Sequence, residues 1–337
     1  MKPLFQSELP NGPFADPVLY LDFLFEKRAL LFDAGDLRAL PTRKLLRVSH
    51  LGISHCHMDH FGDFDWLLRL LLGRDKRLEL FGPAGFIERL GHRLASYSWN
   101  LVHNYSDDLV FTATELHPCQ QGRRTTLRLS NAFRPEDHHQ GALPGNILAE
   151  TPAFLIRGAV LDHGGIPCLG YCVEEKAHIN LWKNRLMEMG LPVGPWLQEL
   201  KQSVLEGKAD DTPITARWRQ DGGYRQRVLP LGELNRRVVK ITPGQKVGYI
   251  VDVGPQPDNL ARMVDLLRGC RTLFIEAGFL EEDAGMASKK GHLTARQAGL
   301  VARRAGVAQL VPFHFSPRYS QREGQLRAEA QAALMEG

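Results

Sequence analysis

The sequence predicts an α/β fold in which sheets are covered by helices and one polar arm is inserted late in the chain. Three observations lead there. Strand-like apolar runs alternate with helix-like segments in both halves, the pattern of a layered α/β sandwich. The stretch 176–246 breaks this texture: it is polar, rich in Arg and interrupted at Gly194-Pro195 and Gly222-Gly223. The chain has 337 residues, 43% hydrophobic and 24% charged, enough to bury a large core without staples. We therefore read 1–337 as a single domain with an inserted arm at 176–246.

The elements follow in order. Val18 to Phe25 and Ala29 to Asp33 are apolar runs joined by the charged turn Glu26-Lys27-Arg28, and predict two strands. Val48 to Ser54 predicts a third, running straight into His55-Cys56-His57-Met58-Asp59-His60. Phe64 to Leu72 has helical character. Glu79 to Phe81 is a short strand, Gly82-Pro83 a breaker, and Gly85 to Ala95 a helix. Asn104 to Glu150 mixes short strands and loops without a clear period. Phe154 to Asp162 and Leu169 to Glu174 predict strands on either side of His163-Gly164-Gly165. Past the arm, Lys246 to Asp252, Thr272 to Glu276 and Ala308 to His314 predict strands. Asp258 to Arg268, Thr294 to Arg304 and an amphipathic Gln321 to Met335 predict helices.

Composition excludes several classes. Lys plus Arg is 42 and Asp plus Glu 38, a formal net charge of +4 that by itself assigns no nucleic-acid partner. No apolar run is long enough to span a bilayer, and Met1 to Pro10 lacks the charged-then-apolar pattern of a signal peptide. Five scattered cysteines argue against a disulfide framework and for a reducing compartment, so the expected location is the cytoplasm, away from membranes.

The strongest signal is His55-x-His57-x-Asp59-His60. Strand alternation puts His55 and His57 on one side, and the following turn brings Asp59 and His60 to a neighbouring point. Imidazoles and carboxylates in that density suit two zinc-class ions. Two ions need more donors, and three candidates stand at strand ends: His163, Asp252 and His314. Taken singly, these read as a turn residue, a helix N-cap and a core histidine. The four-residue cluster needs partners, and Asp252 is a natural bridge between two cations.

In this order, the residues resemble the metallo-β-lactamase superfamily, and downstream motifs are similar to those of its ribonuclease Z family. They are Asp162-His163-Gly164-Gly165-Ile166-Pro167-Cys168-Leu169-Gly170-Tyr171, Gly190-Leu191-Pro192-Val193-Gly194-Pro195-Trp196, Glu276-Ala277-Gly278-Phe279, Gly291-His292-Leu293-Thr294 and His314-Phe315-Ser316-Pro317-Arg318-Tyr319. The resemblance implies an αββα four-layer sandwich and an endonuclease that processes tRNA 3′ ends. It implies one metal held by His55, His57, His163 and Asp252, and a second by Asp59, His60, Asp252 and His314. It also implies a homodimer whose arms grip the tRNA precursor. Zinc is the expected metal, with Mn2+ or Fe2+ as alternatives. A metal-held hydroxide would attack phosphorus. Asp59 would orient it, and His292, held by Glu276, would serve the leaving oxygen.

The sequence also departs from the family. The N-terminal Gly-Thr-Gly loop is replaced by Pro10-Asn11-Gly12-Pro13, Val251 and Val253 flank the bridging Asp252, and Gly278 and Leu293 alter two motifs. A hydrolase of the same fold acting on a small phosphodiester or ester is the alternative reading. The arm favours RNA. Within 176–240, twelve Lys and Arg face seven Asp and Glu. Gly194, Pro195, Lys201, Arg217 and Arg219 are the expected RNA contacts. Trp182, Trp196 and Trp218 read as packing for the arm's own core.

Overall fold

The computed structural model describes residues 4–24, 26–220 and 222–336. Phe25 of the first predicted strand, Asp221 of the arm acids, Met1 to Pro3 and Gly337 lie outside the described residues. The chain forms two compact units. One holds Leu4, Glu150–Leu155 and Glu174–Gln245; the other holds Phe5–Ala149, Ile156–Val173 and Lys246 onward.

The larger unit is built on two sheets. The first orders eight strands as they occur in the chain: β1 (Phe5–Glu8), β2 (Leu19–Phe23), β3 (Ala29–Phe32), β4 (Val48–Gly52), β5 (Lys76–Pro83), β6 (Leu109–His117), β7 (Gln121–Arg128) and β8 (Pro135–Ala142). The central pairs, from β3 to β6, are parallel; the flanking pairs are antiparallel. Parallel pairs need crossovers, and these carry α1 (Thr42–Leu45), α2 (Met58–Phe61), α3 (Phe64–Leu71) and α4 (Phe86–Ala95). The α3 helix buries Phe64, Leu67, Leu68 and Leu71, an i, i+3, i+4, i+7 stripe, in one core with Leu31, Leu51, Leu80 and Phe111.

Two expectations change here. The strand expected at Glu79 to Phe81 runs through Gly82 and ends on Pro83, so those two residues do not break it. Proline is tolerated at a strand end, where its missing N–H costs least. The unassigned stretch 104–150 contains β6, β7 and β8. The last of these is exposed along nearly its whole length, so its sequence carries no apolar alternation to read.

The second sheet begins with β9 (Ile147–Glu150), β10 (Phe154–His163) and β11 (Ile166–Glu175). The chain then enters the arm: β12 (His178–Leu181), α5 (Lys183–Glu188), α6 (Trp196–Leu205), the hairpin of β13 (Pro213–Gln220) and β14 (Gly223–Pro230), α7 (Leu231–Val238) and β15 (Val239–Thr242). The arm buries its own small core, including Leu186, Trp196, Leu200, Ile214 and Leu234, with Trp218 packed against it. Trp182 departs from the expectation: it is 37% exposed, with the Arg185 guanidinium 3.9 Å from its ring centroid.

After the arm come β16 (Lys246–Ile250), α8 (Pro257–Leu267), β17 (Thr272–Glu276), α9 (Ala284–Lys290), α10 (Ala295–Arg304), β18 (Gln309–Phe313) and α11 (Glu323–Met335). The sheet order is β18-β17-β16-β11-β10-β9, with β16, β17 and β18 parallel. The amphipathy expected of α11 is a narrow stripe, Leu326, Ala330 and Ala333, fitted against α10. Between the sheets, Phe32 meets Tyr171 and Tyr249 at 5.1 and 5.8 Å. Helices cover both outer faces, which gives the expected αββα four-layer sandwich.

Candidate metal centre

The candidate ligands converge where strands from both sheets end. His163 is the last residue of β10, Asp252 lies two residues past β16 and His314 one past β18. Ligand sites at the carboxyl ends of parallel strands are the rule in open α/β sheets. His55 and His57 arrive differently from the expected strand alternation. Strand β4 ends at Gly52, so both sit on the loop into α2, with ring centroids 4.3 Å apart. Asp59 and His60 follow on α2 itself.

Asp252 is the hub. Its Oδ2 lies 3.6 Å from His55 Nε2, 3.2 Å from His60 Nε2 and 3.7 Å from His163 Nε2. Its Oδ1 lies 2.9 Å from His314 Nδ1. Asp59 Oδ2 lies 3.4 Å from His60 Nε2 and 3.8 Å from His314 Nε2. Two ligand groups result, His55-His57-His163-Asp252 and Asp59-His60-Asp252-His314, each with donor atoms within 4.8 Å of one another.

The outer nitrogens are held. His60 Nδ1 is 3.0 Å from Asp33 Oδ2, and His163 Nδ1 donates to the Gly291 carbonyl at 2.8 Å. His55 Nδ1 faces Ser54 Oγ at 3.1 Å. Each ring thus turns Nε2 inward, the arrangement that orients metal-binding histidines. Among the described residues, the buried Nε2 atoms of His55 and His60 and Oδ1 of Asp252 meet no neighbour in good hydrogen-bonding geometry, close as the facing side chains are. A polar atom left so in a dry interior is costly, and divalent cations in the two groups would satisfy all three. The donor set fits the metal.

The electrostatics agree. Burial and the neighbouring His60 hold His55 down at about 2, so its ring keeps a lone pair at any ordinary pH. Burial pulls His314 and His60 in the same direction, but the carboxylates facing them win. Asp252 and Asp59 raise His314 to about 10, and Asp252 with Asp33 raises His60. Hydrogen bonds from His314 and His60 hold Asp59 well below the usual carboxylate range. Asp252 is held down too, by His314 and His60, against its own burial. The centre therefore demands positive charge beside Asp252. Asp33, Asp252 and His314 all adopt left-handed φ, at 57°, 47° and 55°. This is uncommon outside glycine and concentrates at functional sites.

Glu276 and His292 stand beside the ligands. Glu276 is fully buried at the end of β17; its Oε1 accepts from Val253 N at 2.6 Å and its Oε2 lies 2.9 Å from His292 Nδ1. Burial lowers the His292 imidazole, but Glu276 outweighs it and the value is raised. Neither His292 nor Asp252 is a helix cap: Thr294 caps α10 in a capping box with Gln297, and Gln256 precedes α8. Sequence reasoning missed Asp33, which also receives Ser54 N and Oγ and the Tyr249 hydroxyl at 2.7 to 2.8 Å. An acid closing the apolar run Ala29 to Phe32 was the available signal.

The expected RNA contacts lie on the arm. Pro195 precedes α6, and a Cβ on Gly194 would come within 3.2 Å of Trp196 Cδ1, so this pair seats the tryptophan. Arg217 and Arg219 are exposed on β13, Arg217 with its guanidinium 4.5 Å from the Tyr224 ring centroid, and Lys201 is half-buried on α6.

A family model described as a beta-lactamase superfamily domain matches residues 218–315. A ribonuclease Z from Deinococcus radiodurans is 33% identical over 318 residues, covering 90% of this chain and 86% of its own. A ribonuclease BN from Cronobacter sakazakii is 30% identical, covering 90% and 84%. The crystal structure of human tRNase Z, short form, superposes with a TM-score of 0.52 over 93% of each chain at 17% identity, which shows the shared fold. This chain therefore belongs to the ribonuclease Z family, metal-dependent endoribonucleases built on the metallo-β-lactamase fold.

Proposed function

We propose that this chain cleaves 3′-extended tRNA precursors at a centre holding two divalent cations. The observation that carries the reading is the pair of four-residue ligand groups sharing Asp252. His55, His57, His163 and Asp252 would hold one cation; Asp59, His60, Asp252 and His314 would hold the other. Zinc suits these donors, and manganese or iron(II) are the alternatives. Bound cations supply a water acidic enough to be the nucleophile near neutral pH, and positive charge opposite the phosphoryl oxygens.

The chain's own residues do the rest. Asp59, with its side chain 45% exposed, orients the attacking water as well as binding metal. Glu276 fixes the proton on His292 Nδ1 and leaves Nε2 to serve the departing 3′ oxygen. Its raised value supports an acid rather than a base. On the arm, Gly194, Pro195, Lys201, Arg217 and Arg219 take the RNA backbone, with the protein working as a homodimer. All five cysteines are unbridged, which fits the cytoplasm.

The test is incubation of metal-assayed protein with 3′-extended tRNA precursor and mapping of the product ends. One cut at the junction of tRNA and trailer is expected. Hydrolysis of bis(p-nitrophenyl) phosphate without cleavage of the precursor under any divalent metal moves the assignment to a small-phosphodiester hydrolase.

A further inference from the structure

A cavity of about 650 Å³ opens beside the metal-ligand helix. Its aromatic lining is Trp66, Tyr97, Trp99 and Tyr105, and its cations are Arg38 and Arg69. Tyr97 and Tyr105 are 44% and 42% exposed, an unusual display of large rings on one patch. The rings are held from behind. Trp99 donates to the Leu94 carbonyl at 2.8 Å and packs edge-on against Phe133, while Arg38 lies 5.5 Å from the Trp66 ring centroid. Asp63 and Asp65 also line the cavity, but both are engaged. Asp65 is forked by Arg93, and Asp63 accepts from Leu37 N and faces Arg38. Arg69 is exposed and has no ion-pair partner among the described residues.

One end of the cavity lies close to the candidate metal centre along the chain. Gly62 and Asp63 form part of its wall and follow the ligand His60 by two and three residues. It therefore starts within about one nucleotide's length of a metal ligand. Aromatic platforms with flanking cations are how proteins hold single-stranded nucleic acid without reading its sequence. In a 3′-extended precursor the acceptor stem is paired and its bases are already stacked. The trailer is the strand with free base faces.

We propose that this cavity is a stacking subsite for the first unpaired bases of the 3′ trailer, with Trp66 and Tyr105 as platforms and Arg69 on the backbone phosphate. This rests on the tRNA-processing reading above and names the part of that substrate the cavity takes.

The experiment compares kcat/KM for precursors with one-nucleotide and six-nucleotide trailers, in the wild type and in the Tyr105→Ala and Arg69→Glu variants. The expected result is a preference of about tenfold for the longer trailer in the wild type. That ratio should collapse toward one in each variant. A folding defect lowers both substrates alike and leaves the ratio standing. As a second readout, 4-thiouridine at the second trailer position should crosslink to peptides from 62–73 or 97–105. An unchanged ratio, or a crosslink elsewhere, overturns the subsite. So does a shift of either variant from dimer to monomer in sedimentation with the ratio intact, which would make this face a contact between two copies of the chain. Failure of the wild type to cleave either precursor instead sinks the tRNA-processing reading.

Discussion

Glu276 and His292 differ from the seven candidate ligands in what their removal should do. His292 lies 3.7 Å from Asp252 Oδ1, yet its near partner is Glu276 at 2.9 Å. His292→Ala should therefore keep its metal content by elemental analysis while kcat on precursor falls by about 10² or more, the usual weight of a positioned acid. Loss of metal in that variant would sink the role. Asp252→Ala should empty at least one metal position. Away from the centre, Arg93 forks Asp65 and also donates to the carbonyls of Phe61 and Gly62, tying α4 to the segment behind the ligands. Burial raises the Asp65 carboxyl, but Arg93 and Tyr97 outweigh it and hold the value below its ordinary one. A depressed folded value contributes stability above the unfolded carboxylate pKa of about 3.9 and loses it as pH falls through the folded one. Asp65→Asn should thus be less stable than wild type by about 1 kcal/mol at pH 7. The gap in melting temperature should close in acid. At this scale the sequence was legible where chemistry was dense. Seven candidate ligands stood out because histidine and aspartate crowd six positions and the rest terminate apolar runs. Asp33 and Tyr249 did not, because topology alone brings residues 216 positions apart into one hydrogen bond.

Elements were legible in proportion to their burial. Strand β3 and helix α3 bury strong apolar patterns and emerged from the sequence nearly whole. Strand β8 has no such pattern, and the length of β5 was hidden by a glycine and proline that the sheet tolerates. Close packing of elements gives its own prediction. A Cβ on Gly299 of α10 would come within 2.2 Å of the Ala330 carbonyl oxygen on α11. Gly299→Ala gains helix propensity but forces these helices apart, and should lower stability by about 1–3 kcal/mol in thermal melts. The β13–β14 hairpin presents Arg217 and Arg219 to solvent. Reversing both to Glu should weaken precursor binding and flatten its salt dependence by about one or two in slope, as each phosphate contact contributes about one. A salt slope equal to wild type would take these residues out of the RNA contact.

For the whole molecule, the centre acts as a joint between the two sheets. Its candidate ligands come from the loop and helix α2 that follow β4 and from the ends of β10, β16 and β18, and Asp33 under His60 is reached by Tyr249 from the opposite sheet. A ligand that binds only the folded state stabilises it, by about 2.7 kcal/mol at a hundred times Kd. Chelation should accordingly lower the melting temperature by several degrees, and zinc should restore it. The order of the donors along the chain has a further consequence. Four precede residue 61 and three follow residue 162, the last being His314. A chain grows from its N-terminus and folds as it emerges. A ribosome-bound chain that has reached only the end of the first sheet carries His55, His57, Asp59 and His60 but neither shared Asp252 nor their partners. Such a nascent chain cannot yet assemble the paired centre. On the proposed two-metal reading, metal loading, and with it nuclease activity, is expected only once synthesis has passed His314, so the growing chain is expected to be inert beside the RNA machinery that makes it.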